Sequence, residues 1–525
     1  MTAGGDEASF EKFPPALADV QLGTFLDQAF NTDDAMLAQD LLFSSHIAAN
    51  LREMGAHALV VGGFVRDLLL EQTTGIVQPP KDIDIEVFGL GFESLMKFLE
   101  THGEVNQVGA SFSVAKVTNP VTGSKIDFSI PRKEATTGEG HRDFDVIEQP
   151  HATLYEACRR RDLTINAFAL DPLTGQLLDE VGGLDDLAHG LLRATDLSRF
   201  AEDPLRVLRV MQFTGRFNFR VDPATAELCK QLDLSRVPGD RIGEEWMKLL
   251  LKAEQPSIGM ETARQLGVLQ QLHPELSVLD NIPQDPEWHP EGNVWNHTKL
   301  TVDTAARIVR EEGLVGDDAL VVLFGALCHD LGKATTTQRT EKHGVMRITA
   351  NGHAAAGVEP SKRFLRQLRM KTAVSDKILP IVHEHLFCLD LPNPTDKQLK
   401  RLGQRLQPAN FRLWDLVCRS DVNGRGLAFV PRTESYAVYE RSLQLDVAEK
   451  PPVPIVGGRH LIEHLNLEPG THFKPILDLL YDAQLGGEIT SVEEGIVFYH
   501  THQDEIEEAL AAFDAEQAKQ TGRPS

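Results

Sequence analysis

The stretch that most limits what this chain can become spans residues 59–90. It opens on Leu59, Val60 and Val61, an apolar run that suits a buried strand. Gly62 and Gly63 follow at once, and a glycine pair after a strand allows a tight turn and close approach of a bulky ligand to the amides. Residues 64–70 read as a helix with Arg66 and Asp67 on its first turns. Beyond a loop, residues 81–88 alternate with period two, so a strand is expected there. Asp82 and Asp84 then share one face, and Ile83, Ile85 and Val87 the other. Side-by-side carboxylates repel, and a divalent cation such as Mg²⁺, together with substrate phosphates, relieves that repulsion.

Further along, the pattern predicts a helix over 35–54, a second over 92–101, and a hairpin of strands at 111–117 and 125–130. Asp127 falls mid-strand in the second of these. An edge-strand Asp facing water and a third carboxylate of a two-metal phosphoryl-transfer site are its alternative readings. Residues 136–149 are rich in Gly, His and charge, and a loop over the site is expected there. Arg159, Arg160 and Arg161 precede Asp162-Leu163-Thr164-Ile165-Asn166. An Arg cluster opening a helix binds phosphate through its guanidinium forks, although a surface ion-pair network uses the same residues. Glu202, Asp203 and Pro204 have the composition of a helix start, acids at the positive end and Pro on the first turn. Asp203, Arg206 and Arg209 then lie at i, i+3 and i+6 on one broad face, where ordinary ion pairing is the plain alternative.

These motifs, in this order, resemble the class II tRNA nucleotidyltransferase and bacterial poly(A) polymerase family of the polymerase-β-like superfamily. The resemblance implies that Asp82, Asp84 and Asp127 hold Mg²⁺, and that Gly62, Gly63, Arg66 and Arg161 hold a triphosphate. Asp162 and Asn166 would address the sugar. Asp203, Arg206 and Arg209 would read the incoming base as a protein template. The activity implied is template-independent addition of CMP and AMP from CTP and ATP to tRNA 3′ ends. A poly(A) polymerase, or an enzyme adding only CC or only A, shares all these motifs.

The second half carries other chemistry. His297, the pair His329-Asp330, His353, the triplet His383-Glu384-His385, and Asp421 are spaced along expected helices. Any one of them is ordinary, but imidazole and carboxylate together suit a borderline transition metal. The set resembles the HD phosphohydrolase superfamily, which implies His297, His329, Asp330 and Asp421 as ligands of a divalent transition metal, with His353 and His383 as additional candidates. Lys333 is either a phosphate contact or solvated. A hydrolase with a vestigial transferase module is the rival reading, and intact Asp82, Asp84, Arg161 and Asp162 count against it.

A chain of 525 residues implies several modules. The expected fold is α+β. An arm and helix (1–54) precede a small mixed-sheet catalytic domain (55–195), a nucleotide-reading neck (196–280), an HD domain (281–430) and a helical tail (431–525). A net charge of −25 argues against a surface that coats nucleic acid all over. Two basic clusters stand out against it: Arg363, Arg366 and Arg369 with Lys362 and Lys371, and Lys400 and Arg401 with Lys397 and Arg405. A tRNA backbone path and solvated helix faces account for them equally. There is no membrane-length apolar run, no signal pattern and no CxxC pair among the five cysteines, which fits a reducing cytoplasm.

Overall fold

The computed structural model describes residues 35–74, 82–107, 114–136 and 144–521. The expected N-terminal arm, Lys81 at the start of the carboxylate strand, and residues 111–113 of the next strand lie outside them. The chain forms two compact units that divide between Asp233 and Leu234. That division falls inside the stretch expected to be a neck, so the helices from Gly239–Lys252 onward group with the metal-ligand helices rather than with the sheet.

In the first unit, strands β1 (His57–Val61), β2 (Asp84–Phe88), β3 (Glu104–Gln107), β4 (Val114–Thr118) and β5 (Lys125–Ser129) carry the site. A hairpin of β6 (Arg132–Thr136) and β7 (Phe144–Glu148) follows, and two short strands, β8 (Ala169–Leu170) and β9 (Leu177–Leu178), come after the Arg cluster. The main sheet runs β3-β4-β5-β2-β1-β8-β9. Only β2 and β5 are parallel to each other; the other neighbours are antiparallel. The apolar run of β1 is central because Ala58, Leu59, Val60 and Val61 are all buried, as a strand covered on both faces requires. The helix Ala35–Glu53 packs on it with Leu41, Ile47 and Leu51 inward.

Two local expectations are corrected. Residues 144–148 of the stretch 136–149 form β7, antiparallel to β6, where a loop was expected, and residues 137–143 lie outside the described residues. The Arg cluster closes a helix instead of opening one. Thr153 and Glu156 form a capping box that starts the helix Leu154–Arg159, leaving Arg160 as its C-cap.

The second unit is built on the helix Gly316–Cys328, in which Ala319 through Cys328 are all buried. The helices Val294–Glu311, Thr372–Glu384 and Phe411–Asn423 surround it. Gly325 is needed there: a Cβ would lie 2.9 Å from a methyl of Val417. The helices Phe473–Gly486, Val492–Thr501 and Gln503–Thr521 share a core of Ile476, Leu480, Phe498 and Ile506. No helix among the described residues is long and apolar enough to cross a membrane.

Candidate active sites

The strand begins at Asp84, later than expected, with Asp82 in the chain just ahead of it; both carboxylates are exposed, while Ile83 and Ile85 are buried. The parallel register sets Asp84 directly beside Asp127 on β5, and Lys116 on β4 lies opposite Asp127. The Lys116 ammonium sits 2.7 and 2.6 Å from the two Asp127 oxygens. Although Asp84 keeps a solvent-facing side, the protein packed around it, then the neighbouring charges of Asp127 and Asp82, push its carboxyl up to about 6 against the pull of Arg161 and Lys116. Carboxylates whose ionised forms oppose one another in this way fit a divalent cation.

Gly62 closes this corner. It turns with φ +77°, and a Cβ there would lie 3.1 Å from Arg161 Nη1 and 3.8 Å from Asp84 Oδ2. Any side chain would strain the turn and fill the space between the guanidinium and the carboxylate. Arg161 donates to Glu86 (3.1 Å), a buried carboxylate two residues beyond Asp84. Arg160 approaches the same Glu86 at 3.7 Å. Sequence reasoning missed Glu86, although the period of two already put it on the face of Asp82 and Asp84. A cleft opens here between Glu86, Arg132, Arg160, Arg161 and Arg206.

Asp162 is fully engaged. It accepts from the Leu163 amide (2.8 Å), the Asn166 amide side chain (2.9 Å) and Arg209 (2.5 Å). Burial pushes its carboxyl up, but Arg209 and Asn166 outweigh that and hold it at about 2. Arg206 donates to the carbonyls of Arg199 (2.7 Å) and Arg160 (2.6 Å), and Asp203 accepts from the Leu205 amide (3.1 Å) at the head of the helix Leu205–Phe217. The expected base-reading face is thereby tied to the Arg cluster. Arg66 requires a correction. Expected on the triphosphate beside Gly63, it is 5% exposed, and its three guanidinium nitrogens donate to Asp67 and Asn166 beneath the rings of Phe213 and Phe217. It orients Asn166 from inside the core.

In the second unit the ligand types sit at helix ends. His297 lies on the first turn of Val294–Glu311, His329 caps Gly316–Cys328, His353 begins His353–Gln367, and Asp421 lies near the end of Phe411–Asn423. His385, not His383, completes the cluster. Two residues along a helix differ by about 200°, and Ile378, Ile381 and Val382 face inward on the side of His385. His383 is half-exposed and pairs with Glu384 instead. The inward periodicity of that helix was the signal that separates the two.

The imidazoles are aimed alike. The Nδ1 atoms of His329, His353 and His385 meet the carbonyls of Ala326, Ala350 and Val382 at 2.8, 2.7 and 2.7 Å, and His297 Nδ1 lies 2.8 Å from Glu291. A proton held there leaves each Nε2 with its lone pair free. The Nε2 atoms converge, 3.3 Å between His297 and His329 and 3.2 Å between His353 and His385. Asp421 joins the first pair at 2.9 Å from His297. Asp330 reaches both pairs, Oδ2 at 3.3 Å from His329 and Oδ1 at 3.2 Å from His353. Neither oxygen of this buried carboxylate accepts a well-formed hydrogen bond, although Lys333 Nζ lies 2.7 Å away. Three groups of ligand atoms lie close enough to hold a metal ion, His297 with His329 and Asp421, Asp330 with His353 and His385, and His289 with Glu291 and His297, and their chemistry fits divalent metal ions.

The basic clusters differ. Arg363, Arg366 and Arg369 are exposed on the side opposite Phe364, Leu365 and Leu368. Lys400 and Arg401 instead fasten the helix Phe473–Gly486: Lys400 donates to the Leu485 carbonyl (3.2 Å) and Arg401 pairs with Asp482. Lys400 and Arg401, expected as RNA contacts, thus have partners within the chain, with the Arg401 side chain 43% exposed.

A mixed sheet bearing three carboxylates, an Arg-walled cleft and a downstream helical His/Asp centre define a nucleotidyltransferase fused to an HD domain. Residues 58–193 match the poly A polymerase head domain, 218–279 the probable RNA and SrmB-binding site of polymerase A, and 294–412 the HD domain. The multifunctional CCA protein of Pasteurella multocida is 34% identical over 74% of this chain and 90% of its own length. That of Xylella fastidiosa strain M23 is 34% identical over 70% and 83%. The chain belongs to this multifunctional CCA protein family, and it is an enzyme of the nucleotidyltransferase class. Its fold matches the Bacillus stearothermophilus CCA-adding enzyme in complex with CTP (TM-score 0.59, 20% identity, 88% of this chain and 98% of that one). It also matches the Thermotoga maritima CCA-adding enzyme complexed with tRNA (0.51, 20%, 94% and 98%).

Proposed function

We propose that the first unit adds CMP and AMP to tRNA 3′ ends without a nucleic-acid template, using CTP and ATP. The observation that carries this is the register of Asp84 beside Asp127 beneath the Gly62 turn and Arg161. Asp82, Asp84 and Asp127 hold Mg²⁺, which supplies Lewis acidity toward the RNA 3′-hydroxyl and the departing pyrophosphate. Arg161, aimed by Glu86, binds triphosphate oxygens, and Gly62 and Gly63 let the phosphates approach the backbone. Asp162 and Asn166 address the sugar. Asp203 accepts from the exocyclic amino group that C and A share, and Arg206 donates to the adjacent ring acceptor. Exposed Arg363, Arg366 and Arg369 meet the tRNA backbone. The work belongs to the cytoplasm, where tRNA is matured and five free thiols stay reduced. The decisive assay supplies tRNA lacking its CCA with labelled CTP and ATP, separately and together. Two added residues with CTP alone and three with both are expected; a ladder from ATP alone replaces this reading with poly(A) synthesis.

A second activity is favoured by the convergent His/Asp centre. His297, His329 and Asp421 hold one divalent transition metal, and Asp330, His353 and His385 another; such ions supply an activated water for phosphoester hydrolysis. Lys333, buried beside Asp330, is placed to draw in a phosphate oxygen. Release of phosphate from nucleotide esters, lost on chelation and restored by metal, tests it.

A further inference from the structure

The third carboxylate of the first unit has a cationic partner that no motif marks. β4 and β5 pair with Val114 opposite Ser129 and Lys116 opposite Asp127. Ala115, Val117, Ile126 and Phe128 are buried on one face, so these four side chains share the other. Val114 and Ser129 line the Arg-walled cleft, which places Lys116 and Asp127 one alternation further along the same face. The Lys116 ammonium straddles the carboxylate, 2.7 Å from Oδ1 and 2.6 Å from Oδ2. On the other side of Asp127, β2 sets Asp84 in parallel register. Arg161, beside Asp84, is turned to Glu86. Lys116 therefore stands as a positive charge against the cluster of Asp82, Asp84 and Asp127. An ordinary cross-strand ion pair serves stability alone; this one engages both oxygens of a carboxylate that faces another carboxylate.

We propose that Lys116 is a positioning residue for nucleotidyl transfer: it clamps Asp127 beside Asp84 and offsets one of the three negative charges that draw a divalent cation to the site. This rests on the transferase reading of that site. A carboxylate oxygen has two lone-pair directions, so Asp127 can accept from the ammonium and still face a cation shared with Asp84. Three unscreened carboxylates would hold a divalent cation by themselves. With Lys116 against Asp127 the pull is weaker, and filling the site depends on the phosphates of CTP or ATP, the mode of binding that suits Mg²⁺. Without the clamp, the like charge of Asp84 would turn Asp127 away.

Lys116→Met keeps most of the stem and removes the charge, whereas Lys116→Arg keeps the charge. Mn²⁺ serves as the probe for Mg²⁺, because the free ion is counted by its EPR signal. In the nucleotide-free full chain, the Mn²⁺ bound by the wild type and lost in Asp84→Asn belongs to this site, which separates it from ions held by the His/Asp cluster. Lys116→Met should tighten that Mn²⁺ about tenfold, and Lys116→Arg should stay near wild type. At saturating CTP and Mg²⁺, Lys116→Met should lower kcat for addition to tRNA about tenfold or more with KM for CTP little changed, and Lys116→Arg should restore most of it. On an Asp127→Asn background, Lys116→Met should cost no further kcat, because Lys116 acts through Asp127. A plain cross-strand pair would lower the melting temperature and move neither quantity. Unmoved Mn²⁺ affinity or a wild-type kcat in Lys116→Met, or a full-sized loss on the Asp127→Asn background, overturns the proposal. If the wild type adds no nucleotide, the transferase reading fails, while the Mn²⁺ titration still decides whether Lys116 tempers the site.

Discussion

At the scale of single residues, charge placed against charge is what the nucleotidyltransferase site consists of. Asp84 and Asp127 are neighbours only because two strands far apart in sequence run parallel. Asp84→Asn keeps the shape, removes a candidate metal ligand and relieves the repulsion. It should lower nucleotide addition at least a thousandfold while the melting temperature holds or rises; extension of tRNA near the wild-type rate would sink the metal assignment. Asp203 is the test of base choice. A mismatched base leaves a charged group unpaired at a cost of about 1–3 kcal/mol. Asp203→Ala should therefore shrink the ratio of kcat/KM for CTP over UTP by about tenfold or more. An unmoved ratio would leave Asp203 as the cap of its helix, the bond it already makes to Leu205.

At the scale of elements, helix packing in the second unit sets a pH dependence away from the metal centre. His273 is buried between Trp246, whose indole N–H donates to Nε2 (3.0 Å), and Gln367 (3.2 Å). Burial pushes its pKa down to about 4, with the Gln367 bond opposing. The folded chain keeps it neutral where the unfolded chain, titrating near 6.5, takes up a proton. Stability is therefore lost as pH falls from about 6.5 toward 4, by at most ~3 kcal/mol. Gln at this position can accept from Trp246 and donate to Gln367 without titrating. His273→Gln should narrow the drop in melting temperature between pH 7.5 and pH 5 by about 5 °C; an unchanged drop would assign the acid sensitivity elsewhere.

At the scale of the whole molecule, the carboxylate site and the His/Asp cluster occupy separate compact units. In the second, Asp330 groups with His353 and His385 as candidate metal ligands and lies 3.3 Å from His329 of the neighbouring group. Asp330→Ala should abolish metal-dependent phosphohydrolysis, more than a hundredfold, and spare CMP and AMP addition within twofold. Hydrolysis of a cyclic phosphate at the wild-type rate would show the centre to be idle. Loss of both activities would show that the substitution disturbs more than its own unit.

By itself the sequence determined which groups are available and in what local phase. The D-x-D alternation, the Gly pair, the Pro204 helix start and the apolar helix ending in His329-Asp330 are all local, written in periods of two and 3.6. Tertiary structure decided what those groups meet. It set Asp127 beside Asp84, turned His385 inward and His383 out, sank Arg66 under two Phe rings, and spent Arg401 on Asp482. It also brought Glu86 to Arg161 and Glu291 to His297, two carboxylates that no motif marks. Local periodicity says which side of an element a residue takes, whereas strand register and helix packing are settled by contacts between residues far apart in the chain, so partners across such contacts cannot be read from spacing.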